Sequence, residues 1–184
     1  MIEVRLHGRG GQGAVTAANL IAMAASKEGM NVQAFPAFGV ERRGAAVMAF
    51  VRMDKNPIMI RSQIYSPDMV VVLDPTLIET VDVLAGMKKG GTLLLNTKGL
   101  PEKFKKVEAR VALVDATGIA ISHDIGSRTN PIVNTAILGG FIKASNLISI
   151  ETMCEIVKDN APGDPKKNVD AVREAYEKTR FGGG

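Results

Sequence analysis

Apolar and polar side chains alternate at the beginning of the chain, from Ile2 to His7, which is the pattern of a β-strand with one covered face. A stretch rich in Ala, Leu, Ile and Met follows at 14–28 and predicts a helix, with Gly29 as its C-terminal cap. Two further strands are predicted at 31–38 and 46–53. The first third of the chain is therefore expected to form a strand, a helix and a pair of strands.

The rest of the chain alternates between apolar strand patterns and helical patterns. Residues 69–73 are apolar throughout, as expected of a strand buried on both faces of a parallel sheet, and Asp74-Pro75 then begins a helix. The other predicted elements are a hairpin partner at 58–60, strands at 92–96 and 109–114, helices at 131–144, 149–158 and 164–180, and a frayed tail at 182–184. This order predicts an α/β fold, a three-layer Rossmann-like domain with a mostly parallel sheet and an antiparallel hairpin extension. We expect residues 1–184 to form a single domain.

Composition excludes several classes of protein. A single cysteine and two histidines argue against a disulfide framework and against a self-contained zinc or iron–sulfur site, which needs about four ligands. No run reaches the roughly 18 apolar residues of a membrane span, and Glu3 and Arg5 interrupt any signal peptide. We therefore expect a cytoplasmic protein that does not contact a membrane.

The positive charge of the chain is concentrated in its first third. The formal net charge is +4, and residues 1–66 hold eight basic and four acidic side chains, which accounts for the whole surplus. An anionic ligand or partner near this part of the fold is one interpretation, and an ordinary solvated surface is the other. Two tyrosines, no tryptophan and no lysine-rich arm disfavour nucleic acid as the partner.

A glycine pattern, G-x-G-x-x-G, lies at Gly8, Gly10 and Gly13, between the first strand and the first helix. Glycines allow a ligand to approach the backbone closely, and the start of the helix offers free N–H groups to an anion. The alternative is a glycine turn that only lets the helix pack closely on the strand. A P-loop is excluded because Ala14 and Val15 stand where Lys and Ser or Thr are needed.

A nicotinamide dinucleotide site would need an acidic residue at the end of the second strand to bind the ribose. No acid occurs there before Glu41, which disfavours this function, although Arg42 and Arg43 keep an NADP site open. These three residues stand between Gly39 and Gly44, and adjacent arginines suit a phosphate or carboxylate. An intrachain Glu–Arg pair is the alternative.

Two other places in the chain carry residues that suit a functional site. Ser122, His123 and Asp124 are adjacent in sequence, but adjacent residues rarely assemble a catalytic triad, and the end of a helix is favoured instead. The segment 130–134, with Asn134 at its end, is either the start of a functional helix or a turn with a cap.

Two motifs together resemble a known family. The segment Gly8-Arg9-Gly10-Gly11-Gln12-Gly13 with its helix, the segment 38–44, and Val51-Arg52 closely resemble the gamma subunit of the 2-oxoacid:ferredoxin oxidoreductases, of which pyruvate synthase is the best-known member. The resemblance covers essentially the full chain. Ala45 departs from it, because members of the family often carry a second glycine there.

The resemblance implies a subunit that acts only within a complex. That complex would convert pyruvate, coenzyme A (CoA) and oxidised ferredoxin into acetyl-CoA, CO2 and reduced ferredoxin. It would use thiamine diphosphate, Mg2+, iron–sulfur clusters and CoA, and its partners would be alpha, beta and delta subunits, with ferredoxin as acceptor. This chain alone would bind none of the cofactors, hold no catalytic or metal-binding residue, and be inactive in isolation.

The resemblance also implies where CoA would lie. A gamma subunit is associated with the CoA side of the active site, and three phosphate groups on CoA fit the basic first third of the chain. The residues expected to contribute are Gly8, Arg9, Gly10, Gly11, Gln12, Gly13, Glu41, Arg42 and Arg43. The alternatives are a purely structural docking subunit and an NADP-binding reductase. Nine methionines among few aromatic residues further predict an adaptable apolar surface that binds partners.

Overall fold

The computed structural model describes residues 1–37 and 44–182. The strands are β1 (Ile2–Arg9), β2 (Asn31–Pro36), β3 (Ala46–Asp54), β4 (Met69–Val72), β5 (Thr92–Asn96), β6 (Arg110–Val114), β7 (Gly126–Ser127), β8 (Asn130–Pro131) and β9 (Arg180–Gly182). The α-helices are α1 (Ala14–Lys27), α2 (Ala116–Ser122), α3 (Ala136–Ser145), α4 (Ile150–Asn160) and α5 (Pro165–Lys178). Two 3-10 helices, Pro75–Glu79 and Glu102–Phe104, complete the secondary structure of this part of the chain.

Seven strands form one sheet in the order β2-β3-β1-β4-β5-β6-β9. The central strands β1, β4, β5 and β6 are parallel to one another, whereas β3 and β2 extend one side antiparallel and β9 closes the other side antiparallel. The predicted α/β class and antiparallel extension are confirmed. The hairpin consists of β2 and β3, however, and the expected strand at 58–60 does not form.

One face of the sheet is covered by helices. The residues of α1, α3, α4 and α5 join the inward side chains of the strands in a single apolar core. Glycine allows the closest helix contact, because a Cβ at Gly139 would lie 2.1 Å from the carbonyl oxygen of Val172 in α5. Gly139 therefore lets α3 pack backbone to backbone against α5.

The second face has two different halves. Its parallel half packs apolar side chains from β4, β5 and β6 against Ile78, Val83 and Phe104. Its antiparallel half, made by β1, β2 and β3, is crossed by residues 57–67, which we call the strap. The strap is attached to this face by two hydrogen bonds, from Gln33 Nε2 to the carbonyl oxygen of Ile58 (3.2 Å) and from Arg52 Nη2 to that of Gln63 (3.3 Å).

Several predicted elements differ from the observed ones for local reasons. The helix expected after Asp74 is only the short 3-10 helix that ends at Glu79, and beyond it the Asp82 carboxylate accepts the N–H of Leu84 (3.2 Å) in a turn. The helix expected from 131 begins at Ala136, because β7 and β8 pair first. The expected frayed tail at 182–184 begins inside β9, and 183–184 lie outside the described residues.

Some expectations about helices are confirmed. Gly29 follows α1 with a φ of 84°, the left-handed conformation of a residue beyond a helix end. Asp74 and Asp164 cap their helices with their side chains, and His123 stands at the end of α2. The Ser149 side chain also caps α4, which the sequence analysis did not predict. Within 1–37 and 44–182, no helix combines the length and apolar character needed to cross a membrane.

Candidate functional site

The glycine loop, residues 8–13, connects the carboxyl end of β1 to the first turn of α1. Gly11 and Gly13 have φ angles of 97° and 82°, which only glycine adopts without strain. Gly13 is also the N-cap of α1, and no side chain caps this helix. No side chain therefore accepts a hydrogen bond from the backbone N–H groups at the start of α1.

The Gln12 side chain connects the glycine loop to the residues that follow β4 by hydrogen bonds. Its Oε1 accepts the N–H of Arg9 (2.8 Å), and its Nε2 donates to Asp74 Oδ2 (2.8 Å), just beyond the end of β4. The other carboxylate oxygen of Asp74 accepts the N–H (2.9 Å) and the hydroxyl (2.6 Å) of Thr76. Burial opposes ionisation of Asp74, but the hydrogen bonds from Thr76 and Gln12 and the charge of Arg9 outweigh it and lower its pKa.

Arg9 makes several contacts at the same edge of the sheet. Its Nε lies 3.2 Å from Asp74 Oδ2, and its Nη2 donates to Thr76 Oγ1 (2.9 Å). Its Nη1 donates to the carbonyl oxygen of Gly44 (3.1 Å). Arg9 therefore connects the glycine loop both to Asp74 and to the end of the second motif.

The two motifs that carry the family resemblance meet in the structure. The N–H of Gly10 donates to the carbonyl oxygen of Ala45 (2.9 Å), and the N–H of Gly44 donates to that of Gly10 (3.2 Å). The end of the 38–44 segment thus lies against the glycine loop. Phe38 to Arg43, including the candidates Glu41, Arg42 and Arg43, lie outside the described residues.

These contacts decide which loop N–H groups are available to a ligand. Gly10 donates to Ala45, and Gln12 donates to the carbonyl oxygen of Arg9 (3.0 Å), so both groups are engaged. The N–H groups of Gly11 and Gly13 have no acceptor within the part of the chain that the structure describes. An anion at this loop would therefore bind Gly11, Gly13 and the first turn of α1, and not Gly10.

Asn134 is a site residue whose role the sequence left open. It is buried, and a Cβ built on Gly13 would lie 2.7 Å from its Nδ2. The start of α3 therefore abuts the start of α1. The next residue, Thr135, donates to Asn168 Oδ1 (2.9 Å) and fixes this end of α3 to α5. The sequence left open whether 130–134 starts a functional helix or forms a turn with a cap, and only the fold shows the contact of Asn134 with Gly13.

A cavity with a volume of about 710 Å3 opens at the carboxyl ends of β5 and β6. Its wall carries charges of both signs, Lys98 and Arg180 as well as Asp115 and Glu174. Nothing in the sequence predicted it. The mixture of charges gives it no preference for an anion over a cation.

The residues of the disfavoured hydrolase site do not converge. Ser122 Oγ donates to the carbonyl oxygen of Ile119 (2.9 Å), and His123 Nε2 lies 2.6 Å from Glu174. Asp124 pairs instead with Lys167 at 3.2 Å. Three consecutive side chains therefore have three separate partners, and no triad forms.

Part of the basic surplus is buried and does not face a ligand. Arg5 donates to His7 Nε2 (3.1 Å) and to the carbonyl oxygens of Val83 (3.0 Å) and Ala85 (2.7 Å). Arg52 is buried in an ion pair with Glu3 at 2.9 Å. For these two arginines neither alternative holds, the anionic ligand or the solvated surface, since their guanidinium groups bind partners inside the fold.

Comparison with known proteins gives one consistent family. The family model for pyruvate ferredoxin/flavodoxin oxidoreductase matches residues 3–178. The chain is 57% identical to the pyruvate/ketoisovalerate oxidoreductases common subunit gamma of Thermococcus litoralis, over 97% of each chain. It is 51% identical to the pyruvate synthase subunit PorC of Methanothermobacter marburgensis, over 100% of each chain.

A solved structure agrees with these matches. The crystal structure of pyruvate oxidoreductase subunit PORC from Thermotoga maritima superposes with a TM-score of 0.83 at 32% identity, over 98% of this chain and 97% of that one. The resemblance seen in the two sequence motifs is thereby confirmed across the fold. The chain belongs to the pyruvate ferredoxin/flavodoxin oxidoreductase family, as a gamma subunit.

Proposed function

We propose that this chain is the gamma subunit of a pyruvate synthase and that its glycine loop binds a phosphate group of CoA. The reaction of the complex is the conversion of pyruvate, CoA and oxidised ferredoxin into acetyl-CoA, CO2 and reduced ferredoxin. Alpha, beta and delta subunits contribute thiamine diphosphate, Mg2+ and the iron–sulfur clusters. This chain contributes backbone and guanidinium donors to CoA and contacts that hold the complex together.

The observation that carries this proposal is the meeting of the two motifs at the uncapped start of α1. Gly10 exchanges hydrogen bonds with Gly44 and Ala45, so the residues that directly follow 38–43 in the chain lie against the glycine loop. A phosphate needs several converging donors, and the start of a helix adds a favourable dipole. Arg42 and Arg43 would add charge-assisted hydrogen bonds from the second motif.

Arg9 and Gln12 have a different role within this proposal. Both side chains are engaged with Asp74, and Arg9 also holds Gly44. They position the loop and the second motif, and the phosphate contacts come from Gly11, Gly13 and the arginines of the second motif. Glu41 would orient these arginines.

The choice of 2-oxoacid belongs, in this proposal, to other subunits. The Thermococcus litoralis relative is named as a common subunit of pyruvate and ketoisovalerate oxidoreductases. One gamma subunit shared by two enzymes cannot by itself distinguish their substrates. We infer that the present chain is equally neutral toward the 2-oxoacid and that the thiamine-binding subunits select it.

The test compares Michaelis constants in the assembled complex. Charge-assisted hydrogen bonds contribute about 1.5–3 kcal/mol each, so Arg42→Ala or Arg43→Ala should raise the KM for CoA about tenfold or more. The KM for pyruvate should change little. Arg128→Ala, an exposed arginine in the turn between β7 and β8, is the matched control and should leave both constants unchanged.

An unchanged CoA dependence in both arginine variants would refute the phosphate site. The second candidate is a purely structural loop, and the internal bonding of Arg9, Gln12 and Asp74 favours it. In that case the variants would impair assembly and leave the KM for CoA unchanged.

An NADP site is not favoured, because β1 lies between β3 and β4 and β2 is not its parallel neighbour.

A further inference from the structure

The strap carries the two most exposed large apolar side chains of the described residues. Met59 is 85% exposed and Tyr65 is 71% exposed, and Ile60, between them in sequence, is 46% exposed. Ile64 and Pro67 of the strap are buried, and Ile58 and Gln63 are partly buried. An ordinary loop would place polar side chains at these outward positions, so the apolar ones require a different explanation.

The strap is fixed to the sheet at several points. Gln33 and Arg52 hold the carbonyl oxygens of Ile58 and Gln63, and the buried Ile64 packs beneath it. A Cβ at Gly86 would lie 2.2 Å from the carbonyl oxygen of Tyr65, so the neighbouring backbone is in close contact as well. The outward side chains are therefore presented from a defined backbone, which lowers the entropy cost of binding a partner.

The charged side chains in and next to the strap are all positive. Lys55 lies two residues before it and Arg61 lies among its exposed apolar residues, and no acidic residue occurs from 55 to 67. Neither cation forms an ion pair with any carboxylate in 1–37 or 44–182. A complementary surface would offer an apolar hollow for Met59 and Ile60 with a carboxylate opposite Arg61.

We propose that the exposed side of the strap, Met59, Ile60, Arg61 and Tyr65, is a docking surface for another subunit of the oxidoreductase. The occupant is a folded protein surface that is apolar at its centre and acidic at its border. Methionine and tyrosine suit such a contact, because both are enriched in the cores of protein interfaces. The inference rests on the proposed membership of a multisubunit enzyme and is independent of the CoA site.

Cysteine accessibility tests the surface without disturbing the fold. The sole native cysteine, Cys154, is buried, so Met59→Cys introduces one reactive thiol at an exposed position. A maleimide should label it in the chain alone and at least about tenfold more slowly in the complex. Met23→Cys, on the outer side of α1 where Met23 is 45% exposed, is the control and should react equally in both.

Negative charges placed on the same surface test its contribution to the free energy of assembly. Met59→Glu and Arg61→Glu, in the chain co-expressed with the other subunits, should each weaken assembly about tenfold or more. Mass spectrometry of the purified complex gives the ratio of this chain to the others, and Met23→Glu is the matched control. The circular dichroism spectrum of each variant should be unchanged, since these side chains are exposed.

The outcomes separate this inference from the proposed function. If the unsubstituted chain does not assemble with other subunits, the proposed function fails. If it assembles and Met59→Cys reacts as fast in the complex as in the chain alone, the docking surface is refuted. If the chain alone forms a dimer that Met59→Glu dissociates, the strap binds a second copy, and the assignment to another subunit is wrong.

Discussion

On the second face of the sheet, β4 and β5 place Val70, Leu93 and Leu95 against Phe104, whereas β1 and β3 bury Arg5 and Arg52. Arg5 bonds to the carbonyl oxygens of Val83 and Ala85, and Arg52 to Glu3 and the strap. Both sets of side chains are buried. Apolar side chains are stable in the interior when their volumes fill the space between the elements. Buried polar side chains also need a hydrogen-bond partner for each donor and acceptor. Within the described residues no buried side-chain nitrogen or oxygen lacks such a partner.

The polar half is organised in rows that run across the strands. Gln33, Arg52 and Glu3 stand opposite one another on β2, β3 and β1, and Arg52 bonds to both of the others, at 3.4 and 2.9 Å. The Arg52 guanidinium also lies 5.4 Å from the ring centre of Phe35. One half of this face is therefore stabilised by apolar packing and the other by specific hydrogen bonds, two of which hold the strap.

The largest expected effect of a single substitution lies in the apolar half. Phe104→Ala removes a buried aromatic ring and leaves a cavity, and we expect a loss of about 3–5 kcal/mol in the free energy of unfolding. Urea denaturation at pH 5 and pH 8 measures it. The loss should be the same at both pH values, and a loss below 1 kcal/mol would show that the parallel half is not tightly packed.

In the polar half, Arg52→Ala should cost slightly less, about 3–4 kcal/mol. The substitution leaves Glu3 without its partner, but the Glu3 side chain keeps 14% of its surface exposed and can be hydrated. Lys98→Ala, which breaks an exposed ion pair with Asp115, is the control and should cost less than about 0.5 kcal/mol. Equal losses in the two variants would mean that Arg52 contributes no more than a surface charge.

The polar half should also be sensitive to pH, through His7. Burial, followed by the charge of Arg5, lowers the pKa of His7 to about 4, and its Nε2 must stay unprotonated to accept from Arg5. Above pH 6.5, His7 is neutral in both the folded and the unfolded state. Between pH 6.5 and 4 only the unfolded state takes up the proton, so stability falls as the pH falls, by about 3 kcal/mol in total.

Thermal or urea unfolding across that pH range measures the effect. His7→Gln keeps an acceptor for Arg5 without a titrating ring, so its stability should depend less on pH between 6.5 and 4. A variant with the same dependence on pH as the unsubstituted chain would show that other groups are responsible.

The two halves also differ in how well the sequence predicted them. Continuous apolar runs identified β4 and β5, because a strand covered on both faces leaves that pattern whatever covers it. The alternation of β1 predicted the strand but also an open face, and this was wrong since Arg5 and His7 are buried. A polar side chain with buried partners has the same sequence pattern as one in water. In the strap, the strand predicted at 58–60 was wrong, because the segment lies across the face of the sheet without pairing as a strand.

In the candidate site, too, the sequence predicted local structure but not the contacts between distant residues. The glycine loop and the start of α1 were predicted from local signals, namely glycine spacing and the change to a helical pattern. The contacts of Gln12 with Asp74 and of Gly13 with Asn134 join residues far apart in the chain, and only the assembled sheet defines them. The roles of Glu41, Arg42 and Arg43 stay predictions.

The exposure of Tyr65 has a spectroscopic consequence. The chain contains two tyrosines and no tryptophan, so its ultraviolet emission comes almost entirely from Tyr65 and Tyr176. The Tyr176 ring lies 4.7 Å from the Lys143 ammonium, beside the contact of α3 with α5, whereas Tyr65 stands on the strap. With Phe at position 176, the remaining fluorescence would report the surroundings of the strap alone, without any attached dye.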